Sequence, residues 1–177
     1  MTKVGPVGDQ RGDGIIWDEK GRDQVVGINV YYRQDSIDSL QFIYRENGNL
    51  VSSNKHEVNS CFNICGMVFD SSDFLTCCLS GSYGYPNDCL STVIQTIKFV
   101  TNKGSYGPFG TSSVDAKHFN FHIGNNRLFG GFHGTQNCHG VETYDRGPKF
   151  KDDVWSWLGG FENVDIDVSV VYDIMPL

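Results

Sequence analysis

Ser36-Ile37-Asp38-Ser39-Leu40-Gln41-Phe42-Ile43-Tyr44 returns, class for class, as Val93-Ile94-Gln95-Thr96-Ile97-Lys98-Phe99-Val100-Thr101. From Ile37 and Ile94 to Ile43 and Val100, apolar residues meet apolar ones and polar residues meet polar ones. A weaker third copy, Asp167-Val168-Ser169-Val170-Val171-Tyr172, lies near the C-terminus. Such self-similarity points to three like sheet units around one axis. They would bury a shared core that none could bury alone.

The sequence around the copies supports strands throughout. In Val25-Val26-Gly27-Ile28-Asn29-Val30-Tyr31-Tyr32, Val26, Ile28, Val30 and Tyr32 fall on one face at period two. The run from Ile37 to Tyr44 stops at Glu46-Asn47-Gly48-Asn49, where Asn-Gly supplies the positive φ of a tight hairpin. Further strands are expected over 61–69, 74–79, 93–101, 119–123, 128–132 and 164–172, each bounded by Gly, Asn, Asp or Pro. Only 150–158 has weak helical character. With 21 glycines, 13% aromatic residues and one alanine, Ala116, the 177-residue chain reads as a single all-β domain.

Composition also narrows the partners. A net charge of −7 without a local Lys/Arg cluster argues against nucleic acid and anionic membrane surfaces. The first residues lack the apolar stretch of a signal peptide, so a cytoplasmic or nuclear location is expected. In that setting Cys61, Cys65, Cys77, Cys78, Cys89 and Cys138 read as small apolar residues rather than disulfide partners. His118, His122 and Cys138-His139 follow no metal-ligand spacing, and no metal or cofactor is expected. Asp152-Asp153 and Asp165-x-Asp167 are pairs in sequence only, and no nucleophile has a positioned base, so the chain is not expected to be an enzyme. Arg11-Gly12-Asp13 is read as a chance tripeptide in a Gly/Asp-rich turn.

Several ordered motifs resemble those of the jacalin-related plant lectins of mannose/glucose-binding type. They are Gly5-Pro6-Val7-Gly8, Trp17-Asp18, Ser36 to Phe42, Leu79-Ser80-Gly81-Ser82-Tyr83-Gly84, Phe99 to Thr111 and Gly131-Phe132-His133-Gly134. The most specific part is Asn102-Lys103-Gly104-Ser105-Tyr106-Gly107-Pro108-Phe109-Gly110-Thr111. The resemblance implies a β-prism of three four-stranded Greek-key sheets with pseudo-threefold symmetry. It also implies non-catalytic binding of oligosaccharides or glycoproteins, no metal requirement, and homo-oligomers. It runs to about residue 134, leaving 135–177 as a divergent or extended C-terminal part of the one domain.

By the same resemblance, sugar sits between an N-terminal Gly-Gly turn and a C-terminal Gly-x-x-x-Asp loop. Sugar hydroxyls can be met there by bare backbone N–H groups and one carboxylate. Asp13-Gly14 stands at the first place. In direct register the second place holds Asn137 and Val141, and the carboxylate is missing. If 135–158 is an insertion, Asp165, with Val164 beside it, supplies the carboxylate. A second site on the first copy would use Asp35 and Asp38, but Gln34 stands where glycine is wanted and the facing turn near 55–58 has none. Trp155, Trp157 and Phe161 could stack on a sugar ring or pin the C-terminal part to the core. Tyr83, Tyr85 and Tyr106 carry the same two readings. The rival to sugar binding is a degenerate lectin fold that serves as a protein-interaction or stress/defence-response module with weak or no sugar binding.

Overall fold

The structure is a computed structural model that describes residues 2–7, 15–19, 24–55, 63–70, 72, 75–85, 92–122, 129–140 and 162–172. Those residues form β1 (Thr2–Val7), β2 (Ile15–Asp18), β3 (Gln24–Tyr32), β4 (Ile37–Glu46), β5 (Asn49–Ser52), β6 (Asn63–Val68), β7 (Leu75–Gly84), β8 (Val93–Thr101), β9 (Ser105–Phe109), β10 (Lys117–His122), β11 (Phe129–Gly140) and β12 (Glu162–Tyr172). The described residues contain no helix. The expected weak helix over 150–158 lies outside them.

Three four-stranded sheets share one connection rule. The first has the order β5-β4-β3-β6 and the second β9-β8-β7-β10. In each, three consecutive strands form a meander and the fourth returns beside the first, which is a Greek key. The third sheet, β1-β12-β11-β2, obeys the same order if the two chain ends are joined, with β11 first and β2 fourth. The N-terminal strands therefore complete the C-terminal hairpin, and the whole is a β-prism with pseudo-threefold symmetry.

The inner faces meet along the axis. Ile28, Val30, Leu40, Phe42 and Tyr44 from the first sheet pack with Leu79, Ile97 and Phe99 from the second and Trp17 and Phe132 from the third. The Phe42 and Phe132 rings stack at 4.3 Å, and Trp17 lies 6.2 Å from Phe42. Burying one such side chain is worth about 1.5–3 kcal/mol, so the three-sheet seam is the main source of stability. Tyr83 and Tyr106 pack against this core, as does the free thiol of Cys65.

The two clear copies of the repeat share one irregularity at the same position. Tyr31 pairs with Ser39 but Tyr32 with Ile37, so Asp38 is an extra residue bulged out of β4. Likewise Ser82 pairs with Thr96 but Tyr83 with Ile94, so Gln95 is the bulged residue of β8. Both are buried, and both use their polar heads to tie down the adjoining loop. Gln95 Oε1 accepts from the Ser113 backbone N–H at 2.9 Å and the Ser113 hydroxyl at 3.1 Å, while Nε2 donates to the Tyr85 carbonyl at 3.3 Å.

The chain turns as expected at Asn47 (φ 50°) and Gly48 (φ 81°), between Glu46 and Asn49. Three strands, β1, β2 and β9, were not expected from pattern, and β5 was implied only as the return of the hairpin at Asn47-Gly48. β9 reads Ser-Tyr-Gly-Pro-Phe, a composition poor in strand formers, and its pairing with β8 decides its conformation. β11 runs to Gly140 rather than ending near residue 132, because 135–140 pair with 162–167 although they lack apolar alternation.

Candidate functional site

β2 carries the N-terminal half of the candidate site. Trp17 anchors it in the core, and its end is held where the Glu19 N–H donates to the Phe132 carbonyl at 2.8 Å. Tyr44 Oη donates to the Glu19 carbonyl at 3.4 Å. β2 pairs with β11 from His133↔Asp18 to Gln136↔Ile15. Asp13 and Gly14, next before Ile15 in sequence, lie outside the described residues.

The C-terminal half lies in β12. Gln136 pairs with Ile15 on one side and Ile166 on the other, and the next pair is Asn137↔Asp165. Two strand spacings, about 10 Å, separate Ile15 from Ile166. The backbone of Asp165 is thus at the end of the sheet at which β2 begins, with Val164 one residue further along, opposite Cys138. The ladder continues through His139↔Asn163 to Gly140↔Glu162. Residues 135–140 are strand, so the stretch 135–158 is not an insertion as a whole. Trp155, Trp157 and Phe161 lie outside the described residues.

Comparison of the three sheets shows how this end differs. Leu40 stands opposite Val30, Ile97 opposite Gly81, and Val168 opposite Gly134. Two residues earlier come the bulged Asp38 and Gln95, and in β12 Ile166. The third sheet has no bulge there, because Thr135↔Asp167, Gln136↔Ile166 and Asn137↔Asp165 follow one another without a shift. An apolar residue in regular pairing therefore takes the position of the polar pin. Asp165 falls one residue further out, paired with the residue that direct register sets at the expected glycine.

In the first sheet the second-site candidate Asp38 is engaged by its own loop. The Asp38 carboxylate, 1% exposed, accepts from Arg33 Nε at 2.9 and 3.0 Å, from Arg33 Nη2 at 2.9 Å and from Ser36 Oγ at 2.8 Å. Arg33 also donates its backbone N–H to the Ser36 carbonyl at 2.9 Å. Burial pushes the Asp38 carboxyl above its ordinary range, opposed by the Arg33 and Ser36 bonds, with half-buried Asp35 adding to the rise. Lys55, next to the facing turn, sits over the Tyr31 ring at 4.2 Å. The acceptors of Asp38 are taken up by its own loop.

A model of the jacalin-like lectin domain matches residues 4–142. The chain belongs to the jacalin-like lectin family. The protein RESTRICTED TEV MOVEMENT 1 of Arabidopsis thaliana is 35% identical over 146 residues, covering 79% of this chain and 82% of the relative. Jacalin-related lectin 24 of the same plant is 34% identical over 143 residues, covering 76% of this chain and 61% of that one. Among solved structures, frutalin from Artocarpus incisa is 30% identical with a TM-score of 0.65, over 76% of this chain and 86% of that chain. A mannose-specific jacalin-related lectin from Morus nigra, solved with mannose, superposes with a TM-score of 0.71 at 24% identity, over 98% and 94% of the two chains. That likeness bears on the fold.

The family's most specific motif has a plain structural reason here. Gly110 has φ 81°, and a Cβ there would run into the carbonyl of Gln95. The Gly-Pro-Phe-Gly stretch thus lies directly against the bulge that holds the second copy together. Sequence reading missed Gln95 as a key position, although the alignment of the copies had already set it against Asp38.

Proposed function

We propose that this domain binds a mannose- or glucose-type sugar without catalysis, between the Asp13-Gly14 turn and Asp165, with Val164 alongside. The observation that carries the reading is the register of the third sheet: Ile15, Gln136 and Ile166 form one row, and Asp165 follows in the next. A span of about 10 Å suits a ligand that meets backbone donors at one side and a carboxylate at the other. Membership of a lectin family and the mannose complex of the Morus nigra relative support the same class of ligand. The free thiol of Cys65 is in keeping with a reducing compartment such as cytoplasm or nucleus.

Calorimetric titration with mannose, glucose, galactose and their oligosaccharides tests this directly. Heat with mannose or glucose, reduced about tenfold in affinity by Asp165→Asn, is the expected result, since one hydrogen bond to a charged group is lost. No heat with any of the sugars would sink the reading.

One observation favours the rival. Where the first two sheets carry a bulged polar residue, the third has Ile166 in a regular ladder that leaves no bulge for a carboxylate. A lectin fold altered in this way suits a protein-interaction module, and the similarity to RESTRICTED TEV MOVEMENT 1 is compatible with it. Silence toward sugars, with a folded chain, would favour this reading.

A further inference from the structure

The strands of the second sheet hold no carboxylate, although the chain has 21 Asp and Glu residues and a net charge of −7. They carry Lys98, Lys117, His118 and His122 instead. The other two sheets each contain acids: Asp38 and Glu46 in β4, Asp18 in β2, and Glu162, Asp165 and Asp167 in β12.

The basic residues are scattered in sequence and meet only through pairing. Ile97 and Phe99 are buried with Lys98 between them, so alternation puts Lys98 on the outer face of the sheet. Phe119 and Phe121 are buried as well, which sets His118 and Asn120 on the same outer face, both exposed. Register then makes two rows, Asn120, Ser80 and Lys98 in one and His118, Ser82 and Thr96 in the next. The backbones of Lys98 and His118 stand about 10 Å apart across two strand spacings and about 7 Å apart along the strands. Hydroxyls line the second row, where Ser82 Oγ is bonded to Thr96 Oγ1 at 2.8 Å and to Oγ of the exposed Ser112 at 2.6 Å. Among the described residues no ion pair engages Lys98, Lys117 or His118. Asp70 is taken by Lys103, and Asp115 lies in the loop before β10.

We propose that the outer face of the second sheet is a docking surface for an acidic glycan, a linear uronic-acid oligomer laid across β8, β7 and β10. Its carboxylates meet Lys98 at one side and His118, beside Lys117, at the other. Charge complementarity selects the occupant, because this is the sheet whose charged side chains are all cationic in a chain that is otherwise acidic. A uronate chain carries one carboxylate on each ring with hydroxyls between. The face offers a matching pattern, with single basic side chains separated by the hydroxyl of Ser80 and the amide of Asn120. The His118 ring has an N–H donor in either charge state. The four strands contain no arginine fork, so phosphate groups and densely sulfated chains are matched less well. This face is on a different sheet from the rows of Ile15 and Asp165, so a uronate here and a neutral sugar there bind independently.

NMR titration of the full chain with a galacturonic-acid oligomer, its fully methyl-esterified form and a sulfated oligosaccharide of equal length tests this. The free acid should move amide signals of β7, β8 and β10. Its binding should weaken as salt rises to about 0.15 M, where exposed charges are screened beyond about 8 Å. The neutral ester should leave these signals in place. Lys98→Gln should weaken binding of the free acid about fivefold, the upper range for one exposed charge contact, and Lys98→Glu should abolish it. Both variants should melt like the parent chain, since Lys98 lies on the outer face with no ion pair to lose, and both should leave any response to mannose unchanged. The proposal is overturned if the free acid does not bind, if the ester binds equally or the sulfated chain more tightly, if the shifts fall on the other sheets, or if Lys98→Glu binds as the parent does.

Discussion

Replacing Gln95 by glutamate changes one atom pair at the bulge that organises the second sheet. Gln95 is 0% exposed and is held by three bonds: two accepted from Ser113 and one donated to the Tyr85 carbonyl. A carboxylate retains the two accepted bonds. It loses the donated one, brings a second acceptor against the Tyr85 carbonyl, and leaves an uncompensated charge in a buried place. An unsatisfied buried group costs about 1–3 kcal/mol, and more when it is charged, so a loss of about 3–4 kcal/mol is expected at neutral pH. That is a large share of the roughly 5–15 kcal/mol of a typical domain. Gln95→Leu loses all three bonds but buries no charge. Ser113 is partly exposed and can bond to water, so its cost should be smaller, about 1–3 kcal/mol. The two variants also separate by pH. Burial raises the folded pKa of the new glutamate above its unfolded value of about 4.3, so its folded state holds the proton more tightly and stability falls as pH rises through the folded value. Urea unfolding at acid and neutral pH should show Gln95→Glu recovering toward Gln95→Leu in acid. Both variants within about 0.5 kcal/mol of the parent chain, at either pH, would refute the idea that the bulged polar residue pins its loop.

Two further outcomes follow from the same region and its counterpart. Gly110→Ala should cost at least about 2 kcal/mol in thermal or urea unfolding, because a positive φ and a collision with the Gln95 carbonyl act together; a neutral result would mean that β9 can shift away freely. Asp38→Asn should reveal a pH slope of the opposite sign to that of a surface ion pair. The folded carboxyl is raised chiefly by burial, so the parent chain should lose stability relative to the variant as pH rises from about 4 through the raised value; a flat difference or a rise would show that the Arg33 bonds outweigh burial.

Much of the architecture was legible because it is local. Strand identity at β3, β4 and β8 follows from alternation, the turn at Asn47-Gly48 from its need for positive φ, and the threefold plan from the similarity of Ser36–Tyr44 to Val93–Thr101. The seams between sheets were hidden, since β1 and β2 are held by partners far away in sequence, and β9, although it pairs with its neighbour β8, has little strand character of its own. The candidate site was legible only in part for the same reason. Asp165 could be named as a carboxylate near a glycine-rich stretch, but its register against Asn137 depends on a pairing across residues 141–161.

The sequence by itself determined a class of fold and a family: a repeat of alternating strands must bury its apolar face against its own copies, and the Gly-Pro-Phe-Gly motif demands backbone shapes that few other residues allow. Only the tertiary structure decided which polar residues serve the fold and which remain for a ligand. Asp38 looked like half of a second site, yet its carboxylate is bound by Arg33 and Ser36. β6 looked like an ordinary strand, yet it stands at the end of its sheet, paired on one side with β3. Hydrogen-bond partners and sheet edges are properties of pairing between distant segments, and pairing is a three-dimensional fact that no local pattern contains.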